Sequence, residues 1–508
     1  MFLIAPSIPL VQFLFISAIS LALLCLFLHY LIYSRCSFRW KECNLPYLKP
    51  TFLLGHPYFF NFFSKSAVVG IDQIYRENPD KELVAFFMLT VPLVLIRDPK
   101  LIRPIIEKNF DKMYQTGITP SLDAVEAQSM INVSSVLAQW KFARNLLKPM
   151  FSFSKMGGSS FTKIKKQIAR MLLHTENSRA SKQPFIAQKI AHNFVTDFIS
   201  LSTFGEDTNS YTDIGNIQLI AASYEENKFR RLLSFLIHMH WPSLQRFRAF
   251  QLVPQISIDM MTSLLKRQME SRDSLGINEG DFIDFLRSLR GEIDMRQMVG
   301  FSFVLIKVGL DAVATLAIFA LHLLSLHPEY QDSVKDEIES VMEQHKETEV
   351  TFEVVKDLQL TKQCLLETAR LFPILVVIIR TCTEDFQIPG TEYVLRKGEK
   401  VAINPYSIHR DPNYFEDPDN FNPDRFSPQH KGSIASETFL GFGIGQRKCP
   451  GSKLGILTAA TLIAPLIQKY ELSPYSHTRQ MDVHDFYARE IMIQPKRHVL
   501  LNLKLREK

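Results

Sequence analysis

Phe442-Gly443-Ile444-Gly445-Gln446-Arg447-Lys448-Cys449-Pro450-Gly451 sets one cysteine in a run where three of ten residues are glycine. Glycines let the backbone turn tightly and come close to a side chain, so that peptide N–H groups can point at its sulfur. A thiolate held this way is suited to be a ligand. The ordinary expectation for one cysteine in a long chain is an inert buried thiol. It applies to Cys25, Cys36, Cys43, Cys364 and Cys382, which lack such a setting. With no CxxC pair and no disulfide-scaffold density, most of these read as free thiols in a reducing compartment.

Working outward, Glu367-Thr368-Ala369-Arg370 places a carboxylate and a guanidinium on one helix face at i,i+3 spacing. Alone, that pattern is usually a surface ion pair. Downstream, Pro423-Asp424-Arg425-Phe426 supplies a second arginine. Upstream, Trp140-Lys141-Phe142-Ala143-Arg144 sets Trp140 and Arg144 one helical turn apart, although a tryptophan on an amphipathic helix is more often plain core. Between these lies the apolar stretch containing Lys307-Val308-Gly309-Leu310-Asp311-Ala312-Val313-Ala314-Thr315.

Helical periodicity dominates the chain: Leu137 to Leu147, Phe185 to Thr203, Ile256 to Glu270, Met295 to Ser325 and Glu329 to His345 carry apolar residues at mixed three and four spacing. Strand-like segments are short and scattered: Leu83 to Met88 with Leu93 to Arg97, Val376 to Thr381, Phe386 to Ile388 and Lys400 to Ile403. This predicts a mainly α (α+β) domain with small β-sheets and excludes a doubly wound sheet. The 508 residues, 46% apolar and 22% charged, suit one large globular domain, and the dispersed net charge of +6 argues against a nucleic-acid partner.

From Ile8 to Tyr33 there is no Asp, Glu, Lys or Arg, and the run is long enough as a helix to span a ~30 Å hydrocarbon core. It exceeds a usual signal-peptide apolar region and lacks a basic start and a small-residue cleavage site. Arg35, Arg39 and Lys41 follow directly, so the positive-inside bias places the following domain in the cytosol. Pro46, Pro50 and Gly55 predict a stiff exit. The expected division is an N-terminal transmembrane anchor over 1–34, a basic, proline-containing hinge over 35–55, and a catalytic domain over 56–508. Cytosolic placement makes the sequon at Asn132 an unlikely glycosylation site.

The cysteine run fits F-G-x-G-x-R-x-C-x-G, whose six fixed positions coincide by chance on the order of once in 10⁸ windows. With E-x-x-R, P-x-R-F and W-x-x-x-R in the same order along the chain, the sequence resembles the cytochrome P450 superfamily. Gly390-Thr391 and Ile408-His409-Arg410-Asp411-Pro412 look most like animal microsomal members, particularly the insect ones that oxidise xenobiotics and lipophilic compounds. The resemblance implies haem b, with Cys449 as the axial ligand to iron. It implies that Trp140, Arg144, Arg380 and Arg447 meet the haem propionates, that Phe442 lies in the haem-binding loop, and that Glu367, Arg370 and Arg425 form a structural cluster. It also implies NADPH–cytochrome P450 reductase as partner, cytochrome b5 as a second donor, a lipophilic substrate, and the endoplasmic reticulum membrane. Lys141, Lys448 and Lys453 suit an acidic docking surface. About Ile118 to Val136 and Tyr211 to Val253 would line the pocket, and Phe235, His238, His240 and Trp241 suit a membrane interface instead.

One segment departs from the family pattern A/G-G-x-D/E-T-T/S. Gly309 and Asp311 match, but Ala312 replaces the proton-relaying threonine and has neither donor nor acceptor. Thr315, three residues on, takes that role only through a helix distortion or a bridging water. Lys307 either pairs with Asp311 at i+4 or turns away to solvent or a polar neighbour. The resemblance thus implies a monooxygenase, with a reductase-independent haem-thiolate isomerase or dehydratase, or a haem-binding protein with decayed catalysis, as alternatives.

Overall fold

The computed structural model describes residues 8–50, 56, 67–88, 91–117, 136–151, 159–225, 234, 237, 244, 247, 253–375, 377–475, 479–486 and 492–507. Most of the expected pocket-lining residues, Asn132, and Phe235, His238, His240 and Trp241 lie outside the described residues.

The N-terminal apolar run forms helix α1, Ile8–Glu42, about 52 Å long at 1.5 Å rise per residue. Phe15, Ile16, Ile19, Leu23, Leu24 and Phe27 are exposed on it. The helix continues beyond Ser34 into the stretch read as hinge, because residues 35–42 find partners on the domain. Trp40 is 2% exposed and packs on Phe87 with centroids 5.1 Å apart. Arg39 pairs with Glu399 and donates to the Val394 carbonyl at 2.5 Å. Asn44, at φ +51°, then ends the helix, and the Leu45 amide reaches back to the Trp40 carbonyl at 2.9 Å. The prolines follow this docked end.

A five-stranded sheet lies beside it. Strands β1 (Leu83–Met88) and β2 (Val91–Ile96) form a hairpin with Leu83 opposite Ile96. Strands β3 (Gln115–Thr116), β4 (Ile378–Thr381) and β5 (Lys400–Ile403) complete the order β1-β2-β5-β4-β3. β2 runs parallel to β5, and the other pairings are antiparallel. Both faces of the hairpin are almost wholly buried, so its strands read as continuous apolar runs. Phe185–Ile186, expected as the start of a helix, instead forms a strand against Leu500 and Leu501, and the helix begins at Ala187. Those two partners are more than 300 residues away in sequence, so local periodicity carries no trace of them.

The helical body contains α2 (Leu137–Leu147), α3, α4 (Gln359–Leu371) and α5 (Ser452–Lys469). The central helix α3 comprises α-helical Met295–Phe303, a π-helical stretch Val304–Leu310 and α-helical Asp311–Leu326. Asp294 starts it with a reciprocal capping box to Gln297. α3 and the stretch Gly445–Lys469 that contains α5 are apolar and long enough to cross a membrane, but both are mostly enclosed by the domain, so here they are core segments. They meet closely: a β-carbon at Gly455 of α5 would lie 3.4 Å from Val313 Cγ2 of α3. A mainly helical body with small sheets is the predicted fold class.

Candidate functional site

The cysteine loop is a set of nested turns ending at the N-terminus of α5. The Gly443 amide donates to the Leu440 carbonyl at 2.9 Å, the Lys448 amide to Gly445 at 3.0 Å, and the Cys449 amide to Phe442 at 2.8 Å. Gly443 and Gly445 hold φ of +73° and +66°, where a side chain is strained. Space is also tight: a β-carbon at Gly445 would lie 2.8 Å from Glu107 Cγ, and one at Gly451 would lie 3.2 Å from Phe151 Cδ1.

Cys449 reaches open surface on one side while protein atoms crowd the others. Burial pushes its thiol pKa up; the Gly451 N–H, Arg144 and Lys448 oppose that shift by favouring the thiolate. The positive end of α5 acts in the same sense.

Three arginines converge beside the loop. Arg447 lies over the Trp140 ring, 4.8 Å from its centroid, and Trp140 is 3% exposed. Arg144 donates to the Lys448 carbonyl at 2.5 Å. Arg380, 8% exposed on β4, donates to the Ile379 carbonyl at 2.8 Å, and no carboxylate pairs with it among the described residues. Burial alone brings the Arg380 guanidinium down to about 10. Burial, then repulsion from Arg380 and Arg144, brings Arg447 down to about 9. Arg380 is buried and Arg144 and Arg447 are partly so, and cations that repel one another favour an anion among them. A thiolate donor beside such a cluster fits haem, a metal macrocycle with two carboxylate arms.

Beneath the loop, Glu367 and Arg370 of α4 are fully buried and paired at 2.7 Å. Arg370 also donates to the carbonyls of His409 (2.6 Å), Pro418 (2.7 Å) and Asn420 (3.1 Å). Arg425 stands 3.5 Å from Glu367 and donates to Asp417 at 2.9 Å. This network fastens the chain from His409 to Arg425 onto α4. Gly441 then lets the loop lie against that helix, since a β-carbon there would come 2.9 Å from the Ala369 carbonyl oxygen.

On α3, Lys307 Nζ lies 2.6 Å from Asp311 Oδ2, so the pairing geometry is the one adopted. Val308 is 41% exposed and Ala312 partly so, whereas Thr315 is 1% exposed within the core. The π-helical turn immediately precedes Asp311; sequence periodicity has no signal for such a turn, which adds one residue to the hydrogen-bonded ring. The run Ile408-His409-Arg410-Asp411-Pro412 marks His409 only as part of a family pattern; its contacts with Arg370 and Leu440 follow from no local spacing.

The cytochrome P450 family model matches residues 50–502. The chain is 25% identical over 492 residues to cytochrome P450 6B7 of Helicoverpa armigera, covering 93% of this chain and 95% of that protein. It is 26% identical over 463 residues to cytochrome P450 6j1 of Blattella germanica, covering 89% and 90%. It is 27% identical over 461 residues to probable cytochrome P450 9f2 of Drosophila melanogaster, covering 85% and 89%.

Proposed function

The chain belongs to the cytochrome P450 family and is a haem-thiolate monooxygenase, and from that premise we propose that it oxidises a lipophilic small molecule with electrons passed from NADPH by a membrane-bound reductase. Haem b, when bound, would supply dioxygen activation, a chemistry that a thiolate ligand favours. Cys449 is the ligand in this reading. Arg144, Arg380 and Arg447 would hold the propionates, with Trp140 seating Arg447 and Phe442 shaping the loop from which Cys449 projects. Asp311 would move protons, without a hydroxyl at position 312 to share the task. Glu367, Arg370 and Arg425 act through the fold.

The convergence of Arg144, Arg380 and Arg447 beside Cys449 carries this reading. For the surroundings we rely on charge and hydropathy. The exposed apolar face of α1, followed by Arg35, Arg39 and Lys41, supports a single membrane span over 1–34 with the catalytic domain on the cytosolic face of the endoplasmic reticulum. Residues 35–55 then join span to domain. Lys141, exposed and 3.5 Å from Asp111, and the exposed Lys448 and Lys453 support docking of an acidic donor, reductase or cytochrome b5.

Purified protein, supplied with reductase and lipophilic substrates, is expected to consume NADPH and release oxygenated product. Turnover of lipid hydroperoxides without reductase, with no NADPH-dependent product, would replace this reading by the isomerase one. No turnover in either assay would leave a haem-binding protein.

A further inference from the structure

We propose that His409 is a positioning residue that registers the Cys449 loop against the Glu367–Arg370 core, by holding the Leu440 amide with one ring nitrogen and the Arg370 carbonyl with the other. Nδ1 lies 2.7 Å from the Arg370 carbonyl oxygen. The Leu440 amide donates to Nε2 at 2.8 Å. The two partners dictate opposite roles, so the ring is the neutral Nδ1–H tautomer. Its surroundings keep it so: His409 is 0% exposed, and burial brings its pKa down to about 3. The ring also stacks on Phe439, at 5.6 Å and 21°, and meets Phe415 edge-on.

The path onward is short. The Leu440 carbonyl accepts from Gly443, the first left-handed turn of the loop, and the Phe442 carbonyl accepts from Cys449 itself. Behind His409, Arg370 is fixed by its pair with Glu367 and returns a bond to the His409 carbonyl at 2.6 Å. His409 thereby joins a fully buried ion pair to the segment that sets where the sulfur projects. A side chain that bonds only one of the two partners leaves the other polar group buried and unmatched.

The inference rests on Cys449 being the haem ligand, and two variants at His409 test it separately. In His409→Gln the amide sits at the reach of Nε2, so it can accept from Leu440 but releases Arg370. In His409→Asn it sits at the reach of Nδ1, so it can donate to Arg370 but releases Leu440. The full-length, haem-loaded protein is reduced and exposed to carbon monoxide. The ratio of the long-wavelength thiolate band to the short-wavelength form is read per mole of haem, with melting temperature alongside.

His409→Gln is expected to keep the wild-type ratio, and His409→Asn to lower it about tenfold by freeing a buried amide. A merely structural role would lower yield and melting temperature in both while leaving the ratio unchanged, and that result overturns the proposal. So does a ratio lowered equally in both. If His409→Asn yields no haem-loaded protein, His409→Gln alone decides, because a lowered ratio in it is incompatible with the assignment. Cys449→Ser measured in parallel separates the two readings: if its thiolate band persists, the ligand assignment fails first.

Discussion

Lys307 Nζ lies 2.6 Å from Asp311 Oδ2 where the central helix passes from π to α geometry. Both side chains are largely enclosed, 19% and 11% exposed, so solvent screens the pair weakly. The carboxylate assigned to proton delivery is therefore tethered to a cation on its own helix, next to an alanine at 312. A tethered carboxylate spends less time oriented toward a proton acceptor, and position 312 offers no hydroxyl to compensate.

Lys307→Met retains the length of the side chain and removes the charge. Product formed per NADPH consumed is expected to rise roughly two- to fivefold, the equivalent of about 0.5–1 kcal/mol for releasing a partly enclosed pair. Product and NADPH measured together in a reductase-coupled assay check this. A fall in the ratio would mean that Lys307 assists proton delivery.

The arginine cluster predicts a graded loss of haem. Arg380→Leu removes a buried cation that has only the Ile379 carbonyl as hydrogen-bond partner among the described residues, so the apoprotein should lose little stability or gain some. Haem retention should fall about tenfold, as expected when one charge-assisted bond is lost from the bound state. Transfer of haem to apomyoglobin measures the retention, and urea unfolding of the apoprotein measures the stability. A variant less stable without haem, but equal in retention, would make Arg380 a fold residue only.

Legibility followed the range of the interactions. Leu137–Leu147 is readable to the residue because its apolar spacing is local, and β1 because both its faces are apolar. The loop around Cys449 is readable because Gly443 and Gly445 sit at positive φ, which side chains rarely adopt, and Gly451 is closely packed. Phe185–Ile186 misled because its partners lie at Leu500 and Leu501. The packing of Trp40 on Phe87 and the pairing of Arg39 with Glu399 are not legible from the basic, proline-containing stretch itself, because both partners are distant in sequence. His409 escaped for the same reason, since its meaning comes from Arg370 and Leu440 together.

The docked end of α1 predicts that the proposed anchor and the stretch after it differ in what their loss costs. Removing residues 1–30 should leave melting temperature nearly unchanged in detergent. Trp40→Ala in the full chain should destabilise by about 3–5 kcal/mol, the usual range for emptying a buried aromatic site. Equal melting temperatures for Trp40→Ala and wild type would show that residues 35–42 are a loose hinge.

Two buried histidines set an acid limit. His409 and His322 are held neutral, with folded pKa values of about 3 and about 4 against an ordinary 6.5, in both cases chiefly by burial. Their neutral forms are undisturbed above 6.5. As pH falls below 6.5 the unfolded chain gains protons that the folded one refuses, so stability declines by about 1.4 kcal/mol per pH unit per group until the folded values are reached. The two ring nitrogens of His322 have no protein hydrogen-bond partner among the described residues. His322→Phe should accordingly be neutral or stabilising at pH 7.5 and flatten the decline between pH 6 and 5, as read from urea midpoints. An unchanged slope would show that His322 does not contribute.

Ala312 carries the most specific prediction. In the family pattern a threonine hydroxyl stands at this position and can both accept and donate a proton; a methyl group does neither. Proton supply then decides whether reduced oxygen ends in product or escapes as hydrogen peroxide. Ala312 is partly exposed while Thr315, the nearest hydroxyl on the helix after it, is 1% exposed in the core, so the face of α3 that carries Val308 lacks a hydroxyl at this turn. Ala312→Thr should raise the ratio of product to NADPH and lower hydrogen peroxide release in parallel, with haem content and the carbon-monoxide spectrum constant. The added β-branch costs only about 0.5 kcal/mol of helix propensity, too little to imitate such a change through folding. Because Lys307 restrains Asp311 in both backgrounds, Lys307→Met and Ala312→Thr combined should exceed either alone by more than the product of their separate effects. Wild-type protein that already couples tightly would place proton delivery on a water or on Thr315, and would remove Ala312 and Lys307 from the account.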